Sequence, residues 1–361
     1  MRAMTRGMIR ALTGTAVLFS LLSMNLASPR TSQPVAVPEA RKGGLRQAAS
    51  DAPADQVIQW NRTLLQIVRT AGAQPATIHP TRSFAILHAA IYDAVNAIDR
   101  THRPYLVHVT ASRHTSAEAA AASAAHDSLV GLYPAQQSML DAQLQTSLAQ
   151  IPDGPNKNAG FHLGKKVARQ ILAARSNDGS NAQPVPYVAG SNPGVYQLTP
   201  PNFSQPVFTH WPAVTPFTLT SASQFRSGPP PDLASMAYTT LFQEVKDLGI
   251  AGSTMRTTDQ TQIAQFWRAP IWNYWNEIAQ TAALAKNNTL AQNARLFALL
   301  NLAFADGVIA FYDSNTTTPF GGRSRRSARR TRTTIRIRWP TQIGLRSPQR
   351  PWIRRTPAHI A

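Results

Sequence analysis

Helical spacing of apolar residues runs through most of this chain and stops at one point, just after Asp313. Val57, Trp60, Leu64, Leu65 and Val68 fall on one helical face, as do Phe84, Leu87, His88, Ile91, Val95 and Ile98. The pattern predicts helices over Ser83–Arg100, Ser116–Leu132, Pro134 to Gln150, Asn158–Arg175, Asp232–Gly249, Thr258–Arg268, Trp272–Lys286 and Thr289–Asp313. Gly160 and Gly164 share one face of their helix. No strand-rich stretch and no repeat of fixed period is visible. The chain therefore reads as all-α, with a single helical domain over residues 55–313.

Residues 180–231 interrupt the helices with Pro, Asn, Thr and aromatics and little periodicity. So long a loop is expected to be ordered by its aromatics, Tyr187, Tyr196, Phe203, Phe208, Trp211 and Phe217, packing onto the helices.

After Asp313 the composition changes abruptly. Residues 314–361 contain twelve Arg and no Lys, Asp or Glu, whereas all 17 acidic residues lie at or before Asp313. The tail thus carries +12 of the formal +19. Two origins are open. A basic tail can bind phosphate-rich polymers or anionic lipid, but this one has no helical face and only Phe320, Trp339 and Trp352 to stack on bases. Sudden Arg enrichment also results when a GC-rich gene is read out of frame.

The N-terminus resembles an export signal. Arg2, Arg6 and Arg10 precede an apolar run from Ala11 to Ala27, and small residues follow before Pro29. Residues 1–28 are expected to be a signal peptide, with an N-terminal anchor as the alternative. Residues 29–54 read as a flexible linker. No other segment reads as long and apolar enough to span a bilayer.

The chemistry-bearing residues are sparse. There is no Cys, which excludes disulfides and thiolate metal sites. G-x-S-x-G, P-loop, G-x-G-x-x-G and H-E-x-x-H patterns are absent. The nine His (79, 88, 102, 108, 114, 126, 162, 210 and 359) are scattered. His88 and Asp93 stand five apart on one helix, the wrong spacing for a ligand pair, so His88 is expected to be a half-buried, hydrogen-bonded residue. His210-Trp211 fits loop packing better than a pocket lining. Glu244 with Lys246 and Asp247, and Arg295 with Asp306, are expected to form helix-surface or interhelical ion pairs.

Several strings together resemble the bacterial vanadium-dependent haloperoxidase relatives, whose helical fold is shared with the type 2 phosphatidic acid phosphatases. They are Arg82-Ser-Phe-Ala-Ile-Leu-His-Ala-Ala-Ile-Tyr-Asp-Ala-Val-Asn96, Pro229-Pro-Pro-Asp-Leu233 with Tyr238, Glu244-Val-Lys-Asp-Leu-Gly249, Arg256-Thr-Thr-Asp-Gln260, Ile263-Ala-Gln-Phe-Trp267, Asn293 to Asp306, and Ala310-Phe-Tyr-Asp313. The resemblance covers residues 55–313. It implies a helical bundle and an activity in which peroxide and bound vanadate oxidise a halide, with phosphoester hydrolysis as the alternative. It also implies a Lys two residues after Asp313, then F-W-R-P, a Pro-Ser-Gly-His-type loop, and a distal Arg and His. Such cations and donors hold an oxyanion.

The chain departs at the first of these positions, because Asn315 stands where the Lys is implied. One added A in the Asn315 codon lets Asn315–Ser327 be read as K-Y-H-H-P-F-W-R-P-V-T-A-I. Later codons then permit Y-P-x-x-H. Residues 314–361 are therefore expected to be an out-of-frame, disordered tail, and the bundle to be incomplete at its C-terminus. No catalytic or cofactor-binding residue of the family is intact in this reading. Vanadate, peroxide and halide belong to the intact relative. This chain is expected to bind no vanadate, to have no specific nucleic-acid partner, and to attract anions non-specifically through its tail.

Overall fold

A computed structural model describes residues 54–188, 196–198, 202–226 and 228–317. The signal peptide, nearly all of the linker, and residues 318–361 of the tail lie outside the described residues. Among the described residues nine α-helices occur and no strand: α1 Gln56–Arg69, α2 Pro80–Asp99, α3 Ala117–Leu132, α4 Gln137–Ala149, α5 Pro155–Ala174, α6 Met236–Gly249, α7 Thr258–Phe266, α8 Ile271–Ala285 and α9 Leu290–Thr317.

Local chemistry sets most helix starts. The side chains of Asp55, Ser116 and Ser235 each accept the backbone N–H three residues on, satisfying a donor the helix cannot pair. Thr257 and Gln260 form a reciprocal capping box before α7. Thr289 and Gln292 exchange the same two bonds before α9. α2 starts three residues earlier than the apolar pattern indicates. The His79 imidazole caps it, and Pro80 sits where a missing N–H costs nothing. α5 likewise starts at Pro155. α6 starts later than predicted, because Asp232 forms a turn with Ala234 and Ser235 instead of entering the helix.

α2 lies at the centre. One face, with Phe84, Leu87, Ile91 and Val95, packs with α1, α3, α8 and α9. The other, with Ala85, Ile86, Ala89, Ala90 and Ala94, packs with α3, α5, Phe217 and the Leu302–Ala305 turn of α9. A helix apolar all round is one enclosed on every side. α3 and α5 approach through small residues. A Cβ on Gly160 or Gly164 would collide with the backbone carbonyl of Ser116 or Ala120, so side-chain-free positions are required there. A third cluster joins Phe208, Trp211 and Val214 of the long loop to Ile309 of α9.

The loop is ordered by only part of its aromatic set. Phe208, Trp211 and Phe217 are buried, Tyr187 and Tyr196 pack on each other, and Phe203 is exposed. α9 does not stop at Asp313 but adds one more turn, to Thr317. Ser, Asn and Thr lower helix stability without forbidding it, and the first residue that breaks a helix outright is Pro319. α9 also corrects the membrane reading. By length and composition Leu290–Asn315 is apolar enough to span a bilayer, with a mean hydropathy of 1.6. Its inner face, however, packs in the cores just described.

Candidate functional site

The end of α9 is where the resemblance places the first oxyanion-binding residue. Asn315 lies on the last turn, with its side chain exposed. One half-turn earlier Asp313 is buried and takes two hydrogen bonds from Arg226, at 2.7 Å each. Two turns earlier Asp306 accepts from the backbone N–H groups of Phe217, Thr218 and Leu219 at 2.6, 2.8 and 3.1 Å, and from the Thr218 hydroxyl. Two carboxylates of one helix therefore pin residues 217–226 against it. The expected Arg295–Asp306 ion pair is not formed. Arg295 is exposed, whereas Asp306 faces inward to loop amides that its carboxylate accepts.

Beside this clamp, Tyr312 contributes to an aromatic box around His79. Trp272 lies 4.6 Å, Phe208 5.1 Å, Trp211 5.8 Å and Tyr312 6.3 Å from the imidazole, centroid to centroid. Burial lowers the His79 pKa to about 3, so the ring is neutral, and its Nδ1 faces Thr81 Oγ1 at 2.9 Å. His210 and Trp211 are buried as loop packing, and His210 Nε2 meets the Ser180 carbonyl at 3.2 Å. Sequence reasoning did not single out His79. The available signal was the His-Pro pair opening a helix.

A second set of charges ties the loop to the bundle. Asp178 receives Arg82 at 2.8 Å and Arg175 at 3.0 Å. Arg82 also donates to the Arg175 carbonyl, and Arg175 to those of Thr215 and Pro216 while covering the Phe217 ring at 3.8 Å. Burial would raise the Asp178 pKa, but hydrogen bonds and charge from the two arginines hold it below the usual value.

His88 is fully buried, deeper than the half-buried position expected. It bonds Asn61 Oδ1 at 2.9 Å and stacks on Phe297. Burial lowers its pKa to about 3. Asp93 turns away from it and accepts the N–H groups of Tyr105, Leu106 and Val107. Burial nevertheless leaves the Asp93 pKa raised. His102, His108, His114 and His162 are exposed, and His359 lies outside the described residues. Asp247 accepts from Gln243, and no ion pair joins it or Glu244 to Lys246 among the described residues.

An oxyanion needs several cations with N–H groups to give. The three arginines that hold the loop, Arg82, Arg175 and Arg226, already donate to Asp178, Asp313 and backbone carbonyls. The residue presented at position 315 is an uncharged amide. At these four positions the side chains thus do not supply the free cations that a bound vanadate would need. The described residues also contain no cluster of three or more His, Cys, Asp or Glu able to hold a metal cation.

No family profile and no curated protein matches this chain. Solved structures do. The crystal structure described as the first bacterial vanadium-dependent iodoperoxidase aligns with a TM-score of 0.62 at 21% identity, over 83% of this chain and 74% of that one. The holo and apo crystal structures of a bacterial vanadium-dependent chloroperoxidase align with a TM-score of 0.54 at 17% and 16% identity, over 76% of this chain and 67% of theirs. With nine helices among the described residues and a central α2, the chain has the helical fold of the bacterial vanadium-dependent haloperoxidases.

Proposed function

We propose that this chain is an exported relative of the vanadium-dependent haloperoxidases in which the reading frame changes after Ser314, leaving the scaffold without its oxyanion-binding groups. The observation that carries this reading is at the end of α9. An uncharged, exposed Asn315 occupies the place of the implied Lys, and the loop arginines are neutralised by Asp178 and Asp313. Export rests on the N-terminal Arg and apolar run. The frame change rests on the loss of all acidic residues and the gain of twelve Arg at one point.

The chain as it stands should neither bind vanadate, nor brominate a phenolic dye with peroxide, nor hydrolyse p-nitrophenyl phosphate. Oxyanion affinity comes from several cations acting together. The nucleotide sequence around codon 315 is the direct check. Adding one A there, with the downstream DNA, should restore peroxidase or phosphatase activity. Activity of the unaltered chain would overturn the proposal, as would a folded, restored chain inert in all three assays.

A second reading belongs to another class and follows from the Arg content alone. Twelve Arg without a counter-charge would bind anionic polymers or lipid with steep salt dependence. Retention on heparin that 0.5 M salt fails to weaken, on the order of a hundredfold, would argue against it.

A further inference from the structure

α4 is held less firmly than its neighbours. Only Leu140 and Ser147 of its residues are buried, and it leans chiefly on α3. Among the described residues its polar tie to α3 is a single imidazole. His126, on α3, points Nε2 at Asp141 Oδ1 of α4 at 2.7 Å and Nδ1 at Asp127 Oδ1 of its own helix at 2.9 Å.

A neutral imidazole has one N–H and one bare lone pair. Here both nitrogens face carboxylate oxygens, so the arrangement is satisfied only when both carry hydrogen. The surroundings support that charge. α1 contributes only the edge-on Trp60 ring, 6.3 Å away. The single cation from α5, Lys165, reaches the far oxygen of Asp127 at 4.0 Å. The imidazole is half-buried, which alone would lower its pKa. The hydrogen bonds and negative charge of Asp127 and Asp141 outweigh this and raise it.

We propose that His126 is a pH-sensitive latch that fastens α4 to α3 while the imidazole is charged and releases it when the imidazole is neutral. The sign follows from the direction of the shift. A His whose folded pKa lies above its unfolded value contributes fully below the unfolded value and loses that contribution as pH rises through the folded one. Deprotonation also leaves Asp127 and Asp141 facing each other across a neutral ring.

The test is hydrogen exchange on the full chain, reading the protection of α4 amides relative to those of α5 at about pH 6 and about pH 9, with the intrinsic rate at each pH divided out. α4 should lose about tenfold in relative protection across that range, as the loss of one charge-assisted hydrogen bond requires, in the direction set by the raised His126 pKa. His126→Gln should abolish the pH dependence. Asp141→Asn should loosen α4 at low pH and lower the His126 pKa read from its imidazole NMR signals. Should the His126 variant fail to fold, the Asp141 variant and the imidazole titration still decide. Relative protection of α4 that does not change with pH, or a His126 titrating at or below the ordinary value, would overturn the latch.

Discussion

α2, α3 and α5 contrast with α6 and α7, although all five are regular helices and all but α5 start at a side-chain cap. In α2 nearly every side chain from Thr81 to Ile98 is buried, and α5 carries glycines where α3 passes too close for a Cβ. In α6 and α7 no residue is buried, and Met236, Ile263 and Phe266 are exposed. Helix formation is decided locally, by capping and by spacing, whereas burial needs a partner. The first group has its partners within the described residues. The second has only sparse ones, such as the Phe266 ring stacked on Tyr274, and leaves its apolar side chains largely uncovered. The outward ridge of α9 is similar, since Leu299 and Phe311 are 48% and 46% exposed. Such a surface favours association, and low solubility on expression is the expected result.

The contrast can be broken most decisively at Gly164. Gly164→Leu would drive carbons into the Ala120 carbonyl and the Ser123 side chain, and should cost more than about 4 kcal/mol or prevent folding. A urea midpoint close to wild type would show that α3 and α5 are not closely packed. Next in size is Asp306→Ala, which leaves the amides of Phe217, Thr218 and Leu219 without an acceptor. A loss of about 3 kcal/mol is expected, with faster hydrogen exchange at those three amides.

Smaller again is an acid effect that sharpens the comparison through His79 and His88. Their folded pKa values, about 3, lie below the unfolded value near 6.5, so the unfolded chain binds more protons between these limits. Stability should fall as pH drops below about 6.5, by about 1.4 kcal/mol per unit for each His. His88→Gln should roughly halve that slope in denaturant titrations at stepped pH. The smallest effect is expected in α6, where Phe242→Ala should cost less than about 1 kcal/mol because the ring is only partly covered. A core-sized loss there would mean that α6 has a partner.

The helices were legible because apolar spacing and capping residues are local signals, and every predicted helix is present within a few residues. The Gly160–Gly164 face was visible, although its role as a contact with carbonyls was not. The inward turn of Asp306 was hidden, because its partners are backbone amides about ninety residues away, and amides leave no mark in sequence. His88 read as half-buried because its spacing gives a face but not the depth of that face. The His-Pro pair marked His79 as a helix opener, but not its aromatic box, whose rings come from three segments distant from it. At the candidate site the missing Lys was readable at Asn315. The neutralisation of Arg226 by Asp313 was not, since it depends on where the long loop returns.

The two clamps on α9 also fix an order of events during synthesis. Residues 217–226 leave the ribosome about ninety residues before Asp306 and Asp313. At about 5–20 residues per second, that is an interval of several seconds or more. Throughout it the loop amides have only water to bond, and Arg226 has no carboxylate. The loop is thus among the last parts of the molecule to be locked, and the residues that lock it are the final acids the ribosome adds.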